Sequence, residues 1–325
     1  MPDVRVVDQF APGDIDAIRK LVDEVERMTG TAPLGEVTWL GLNAVATTDH
    51  GSRTDVGLVV PGTGGALDGY AHAARHHDRE WSLELAARPG APDGRFDMVQ
   101  AALAEVAQRG GGHVTMWVRE PTADDDALAT KGGLSRERDL LQLRVQLPLA
   151  ERASWPAGAR VRSFVPGADE DAWLVVNNRA FAGHPEQGNW TVDTLLRREA
   201  EPWFDPAGFL LAFDDATDAT DATDASDPAS LAGFCWTKVH PARVPQEPEP
   251  LGEIYVIGVD PAHQGTGLGR ALVIGGLDSL ARRGIATGML FVDADNTAAV
   301  GLYTALGFTT HRLDRAYGCE VEPGS

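Results

Sequence analysis

The sequence predicts an α/β fold on a mixed sheet (α+β in its mixture of antiparallel and parallel strands), with one unit occurring twice in tandem. Three observations predict it. Apolar residues alternate with period two in some stretches and recur near period 3.6 in others. Matching segments appear in the same order in both halves of the chain. Near the C-terminus a strand, a glycine-rich turn and a helix follow one another, the arrangement that cradles an anion on backbone amides.

The first half opens on a short alternating strand at residues 4–7 and an amphipathic helix over 12–27. The spacing then predicts a strand over 81–89, a helix over 96–109, a strand over 114–119 and a Lys131-Gly132-Gly133-Leu134 turn. The second half repeats this series: strand 160–164, helix 169–180, strand 253–261, helix 268–283, strand 288–293 and the Ala305-Leu306-Gly307-Phe308 turn. Two further strands, 209–213 and 231–237, flank a low-complexity stretch at 214–228, where Asp-Ala-Thr occurs three times in succession. That stretch lacks the glycine and terminal glutamate of a calcium loop and reads as a disordered hairpin extension. The expected division is a domain over 1–147, a Pro- and Ala-containing linker over 148–158, and a domain over 159–325.

Composition limits the function. A chain of 325 residues with 43% apolar content can bury the cores of two ordinary domains. A net charge of −20 argues against nucleic acid or an anionic membrane as partner, since phosphate contact needs clustered Lys and Arg. Cys235 and Cys319 read as two free thiols of a reducing compartment. With neither a leader pattern nor an apolar run of membrane length, the expectation is a cytoplasmic monomer acting on a small molecule and holding no metal.

The turn Gln264-Gly265-Thr266-Gly267-Leu268-Gly269-Arg270 carries most of the chemistry. A Walker loop would need Lys-Ser/Thr after its last glycine, and Arg270-Ala271 stands there. A dinucleotide fingerprint needs G-x-G-x-x-G, and the spacing here differs. Gln264, Gly267 and Gly269 after Val259-Asp260-Pro261 resemble instead the acetyl-CoA loop of the GNAT N-acetyltransferase superfamily. Asn296-Thr297-Ala298-Ala299-Val300-Gly301, followed by Tyr303 and Leu306-Gly307-Phe308, resembles its second cofactor segment. The resemblance implies two tandem GNAT domains and acetyl-CoA as co-substrate.

Acetyl transfer to an amine needs a proton acceptor for the amine, N–H donors for the oxyanion and a proton donor for the departing thiolate. Glu253 opens the strand that leads to the loop and is the candidate base. Backbone N–H groups near Gly258 and Val259 are the candidate oxyanion donors, with glycine there suiting a bulge or a close ligand approach. Tyr303 is the candidate acid. In a gapless alignment of the halves Trp81 stands at Glu253, Ala129 at Tyr303, and Pro92-Asp93-Gly94-Arg95-Phe96-Asp97 at the glycine loop. The first half is therefore expected to be non-catalytic. Lys238, inside an apolar strand, either snorkels or anchors substrate hydroxyls. The polar segment 177–191, with His184 and Glu186, is expected to cap the acceptor site.

The tandem halves, His184-Pro185-Glu186-Gln187-Gly188 and Leu251-Gly252-Glu253-Ile254-Tyr255-Val256-Ile257-Gly258-Val259 are similar to the mycothiol synthase family. The resemblance spans nearly the whole chain. It implies acetylation of the cysteinyl amine of cysteinyl-glucosaminyl-inositol. It places acceptor contacts at Glu36, Glu186, Lys238, Glu253 and Phe291. Cofactor contacts fall at Ile257, Gly258 and Val259, at 264–270 and at 296–301, with Leu85, Ala86 and Ala87 in the first half. Phe291 stands where the family has tyrosine, and Gly265, Thr266 and Gly301 stand where it has arginine. Other small-molecule amines (aminoglycoside-like), a protein N-terminus, or acetyl-CoA sensing without turnover remain alternatives from sequence alone.

Overall fold

The computed structural model of the chain describes residues 4–7, 10–30, 32–35, 38, 55–76, 79–89, 92–183, 187–214, 231–242 and 247–324. They fall into two compact units: Met1–Leu141 with Asp293–Asp295 and Arg312–Ser325, and Gln142–Val292 with Asn296–His311. Glu36, the 184–186 tripeptide and the Asp-Ala-Thr stretch from 215 lie outside the described residues.

Unit 1 runs β1 (Arg5–Val7), α1 (Pro12–Thr29), β2 (Val56–Pro61), β3 (Leu67–Arg75), β4 (Glu80–Ala87), α2 (Pro92–Gln108), β5 (Gly112–Arg119), α3 (Ala123–Gly132) and the start of β6 (Ser135–Gln146). Strands β1 to β4 pair antiparallel in order. Strand β4 pairs parallel with β5 over Glu80 to Leu83. Helix α1 stops at Gly30, whose φ of 77° is left-handed and suits a residue without Cβ. Thr122 caps α3 in a reciprocal box with Asp125. Trp81, Leu83, Met98 and Met116 form the apolar centre of the unit.

Unit 2 runs β7 (Ala159–Ser163), α4 (Glu170–Ala180), α5 (Val192–Glu199), β8 (Phe209–Asp214), β9 (Leu231–His240), β10 (Leu251–Val259), α6 (Leu268–Arg282), β11 (Thr287–Asp293) and α7 (Thr297–Ala305). Strands β7 to β10 pair antiparallel in order, and β10 pairs parallel with β11. Aromatic rings fill the core. Phe209 stacks on Phe164 and on Trp236, each at a centroid distance of 4.5 Å, and Trp173 meets Phe209, Phe234 and Trp236 edge-on.

The last strand, β12 (Thr309–Val321), alters the expected domain division. From Arg312 it belongs to unit 1, where it pairs antiparallel with β5 from Asp314↔Arg119 to Val321↔Gly112. Tyr317 joins the Trp81 core. Arg315 donates to Asp139 at 2.8 Å and to Asp126 at 2.9 Å, and Tyr317 Oη donates to Asp126 at 2.7 Å. Conversely, β6 lies next to β11, and its residues from Gln142 belong to unit 2. Each unit is thus completed by chain from the other half of the sequence, which period and composition do not reveal. A second difference concerns residues 92–97. They align with the glycine loop, and the helix was expected from 96, but it begins at Pro92, because proline is tolerated in a first helical turn.

Candidate active site

The opening in unit 2 follows from strand pairing. Strand β10 pairs with β11 at Leu251, Gly252 and Glu253 and then runs on to Val259. The parallel register with β11 thus covers only the first three residues of β10. On its other side β10 stays paired with β9, with one register shift between Ile254 and Val256. Tyr255 is therefore the extra residue of a β-bulge. The bulge was expected nearer Gly258; that glycine instead pairs with Phe234 and has a packing reason. A Cβ on it would lie 2.8 Å from the Phe234 ring and 3.3 Å from Ala180 Cβ.

Glu253 sits where the splay begins. It is 8% exposed, pairs across from Lys238, and its Oε2 is 2.6 Å from His240 Nε2. Lys238 is buried too, with Nζ 4.6 Å from the Trp203 ring centroid and 5.6 Å from that of Tyr255. It lies against aromatic faces rather than snorkelling to solvent. His240, Trp203 and Tyr255 were missed from sequence. The signal for His240 was available: residues i and i+2 of a strand share a face, so Lys238 and His240 point the same way.

Tyr303 is buried in α7 against Phe308, with ring centroids 5.6 Å apart. Burial, with a smaller contribution from the Cys235 thiol, pushes its phenol up to about 12. Cys235 pairs with Ile257, four residues beyond Glu253. At about 3.3 Å per residue, Glu253 and the Tyr303 neighbourhood are separated by roughly 10–13 Å along β10. Phe291, half-buried on β11, lies beyond the last parallel pair at Met289.

Gln264, Gly265, Thr266 and Gly267 are exposed, and Thr266 Oγ1 donates to the His263 carbonyl at 2.7 Å. Gly265 and Gly267 have φ of 78° and 87°, so glycine is required by the backbone. Gly267 caps α6, leaving the amides of Leu268, Gly269 and Arg270 at the positive helix end. A Cβ on Gly269 would meet only Val259 Cγ2, at an ordinary 3.5 Å. Internal packing thus does not demand glycine there, and its absence of a Cβ leaves the first-turn amides open to an anion. Arg270 is held by Glu151 through two bonds, 3.0 and 2.5 Å, so its guanidinium is already partnered. Asn296 caps α7, its Oδ1 accepting from Ala299 N at 3.2 Å; Thr297 and Ala298 are exposed, Ala299 and Val300 half-buried, and Gly301 is open on its Cβ side.

Unit 1 has the same frame without the same chemistry. Aligned by strand register from Gly69↔Ala87 and Gly233↔Val259, and allowing for the Tyr255 bulge, Ser82 stands at Glu253, Ala74 at Lys238 and His76 at His240. His76 Nε2 contacts Ser82 Oγ at 2.8 Å, the counterpart of the His240–Glu253 pair. The gapless alignment put Trp81 at Glu253; the bulge shifts it by one. Leu85, Ala86 and Ala87 occupy the splayed end of β4, but the first turn of α2 replaces a glycine loop. Ala129, at the Tyr303 position, is buried in α3.

A parallel pair that splays at a bulged strand, leading into a glycine turn on a helix N-terminus, defines a GNAT acetyltransferase, a class that uses acetyl-CoA as co-substrate. Residues 182–308 match the Acetyltransferase (GNAT) family. The chain is 41% identical over 318 residues to the mycothiol acetyltransferase of Thermobispora bispora, covering 97% of this chain and 99% of that one. It belongs to the mycothiol acetyltransferase family. Its fold is shared by a GCN5-related N-acetyltransferase of Sphaerobacter thermophilus (TM-score 0.73, 23% identity, 100% and 98% of the two chains covered). A tandem GNAT protein from the clavulanic acid biosynthesis pathway also shares it (TM-score 0.68, 18% identity, 99% and 100% covered).

Proposed function

We propose that unit 2 transfers the acetyl group of acetyl-CoA to the cysteinyl amine of cysteinyl-glucosaminyl-inositol, releasing mycothiol and CoA. The observation that carries this reading is a buried carboxylate, Glu253, facing Lys238 at the mouth of the splayed strands, in a chain similar along its length to a mycothiol acetyltransferase. The amides of α6 and the 264–267 turn are suited to the pyrophosphate of acetyl-CoA. The part of β10 beyond its parallel register with β11 is suited to the pantetheine and to the thioester oxygen.

An α-amino group titrates at about 7.7–8.0, so one carboxylate is a sufficient base for a cysteinyl amine near neutral pH. Glu253 accepts the amine proton through a bridging water, and the freed lone pair attacks the thioester carbon. The nitrogen then sheds its second proton to solvent, and as the intermediate collapses the C–S bond breaks and the sulfur leaves as thiolate. Tyr303, at about 12, keeps its proton and donates a hydrogen bond to that sulfur. Full proton transfer from it would run uphill, because an ordinary thiol titrates at about 8.5. Lys238, Phe291, Glu36 and Glu186 would contact the sugar, inositol and cysteinyl groups. Unit 1, with Ser82 and Ala74 in place of Glu253 and Lys238, plays no chemical part in this reading.

The test is a mass-resolved assay of the purified chain with acetyl-CoA and three acceptors: the cysteinyl pseudodisaccharide, an aminoglycoside and an N-terminal peptide. Acetylation confined to the first supports the reading. Preference for either of the others reassigns the substrate.

A further inference from the structure

His240 has no part in the steps above, yet it makes the closest polar contact to the base. We propose that His240 is a positioning residue that acts through Glu253, its Nε2–H holding the carboxylate in line with the acceptor amine. The inference rests on Glu253 being the base. Two features support it. The 2.6 Å contact lies in the short range of charge-assisted hydrogen bonds. The Glu253 side chain is 10% exposed and that of His240 29%, so the carboxylate is shielded while part of the imidazole meets water. Lys238 of β9, across from Glu253, and Tyr255 of β10, beside Lys238, are the other titratable groups described around the pair.

The proton is accounted for without a further reactant. An N–H bond of the acceptor ammonium breaks as an O–H bond forms on Glu253, through the bridging water. That O–H then breaks as the proton passes to water or buffer, and His240 Nε2–H stays donated to the restored carboxylate. In unit 1 the matching His76 is bonded to Ser82, which offers no carboxylate to hold. A histidine kept only for strand-end packing is therefore the competing account.

The experiment compares His240→Ala, His240→Gln and Glu253→Gln with the wild-type chain. His240→Ala is expected to lose about tenfold in kcat, with KM for acetyl-CoA within about twofold of wild type. Added imidazole should restore rate in His240→Ala in proportion to its concentration and do nothing for Glu253→Gln. His240→Gln should keep the wild-type melting temperature and regain part of the rate, because its amide N–H can donate to the same carboxylate oxygen. A His240→Ala rate within about twofold of wild type, or a loss that imidazole leaves untouched, would overturn the proposal. A second readout needs no acceptor: a crystal structure of the wild-type chain should show His240 Nε2 within hydrogen-bonding distance of Glu253 Oε2. A ring turned away from the carboxylate would overturn the dyad. The contact intact in a chain that acetylates nothing supports the dyad and sinks only the functional reading.

Discussion

Glu253 Oε2 and His240 Nε2 stand 2.6 Å apart at the point where β10 parts from β11, with Lys238 across from the same glutamate. Glu253 is the last residue of β10 that the parallel register with β11 holds in place. The proposed base is therefore fixed by sheet hydrogen bonding. The expectations below follow from that geometry.

Replacing Glu253 with Gln keeps the shape and removes the proton acceptor. We expect kcat to fall by about 10²- to 10⁴-fold with KM for acetyl-CoA little changed. Steady-state kinetics on both substrates checks this; a drop under about threefold would take the base role away from Glu253.

On the proposed mechanism Tyr303→Phe removes one hydrogen bond to a sulfur that becomes charged, an expected loss of about 1.5–3 kcal/mol, or roughly 10- to 150-fold in kcat. Because burial holds the phenol at about 12, it remains protonated well beyond the ordinary tyrosine value of 10.0. The pH profile of kcat should thus show no fall due to Tyr303 between pH 8 and about 10. An alkaline limb in that range that vanishes in Tyr303→Phe would contradict the assignment.

Much of this was legible in sequence, and the reasons differ by element. The turn at Gly265 and Gly267 declares itself because positive φ demands glycine. Helices α1 and α6 follow from their apolar period, and Asn296 from its place before an apolar helix, where it proves to be the cap. Strands β2, β3, β6 and β12 were not assigned. The charged start of β6 and the mixed residues of β12 hide the alternation that marks a strand. The pairing of β12 with β5 is a long-range choice that no local pattern encodes. The Tyr255 bulge was likewise hidden, and with it the match between Glu253 and Ser82.

Because β12 belongs to unit 1, a fragment of residues 1–147 would leave the β5 edge unpaired and remove Tyr317 from the Trp81 core. We expect that fragment to aggregate or to lack a cooperative melting transition, and adding residues 309–325 through a linker to restore one. Cooperative melting of the short fragment by calorimetry would show β12 to be dispensable.

Gly258→Ala would drive a methyl to 2.8 Å from the Phe234 ring, which is itself locked among aromatic neighbours. Overpacking of this kind costs about 1–3 kcal/mol. Urea unfolding should report the loss; unchanged stability would mean that the ring has room to move.

Arg315 holds the Asp139 carboxyl below its ordinary value of 3.8, chiefly by hydrogen bonding. A carboxylate depressed by folding adds stability above its unfolded pKa, about 3.9, and loses that contribution as pH falls through the lower folded value. Asp139→Asn should lower the melting temperature at pH 6 and flatten its decline below about pH 4. Parallel melting curves for the two chains from pH 6 to pH 3 would contradict this.

The most direct measurement is a single-turnover mass assay with acetyl-CoA and cysteinyl-glucosaminyl-inositol, run on the wild-type chain beside Glu253→Gln. We expect the acetyl mass on the cysteinyl nitrogen with the wild type and almost none with the variant. An acceptor acetylated equally by both, or by neither, would contradict the account.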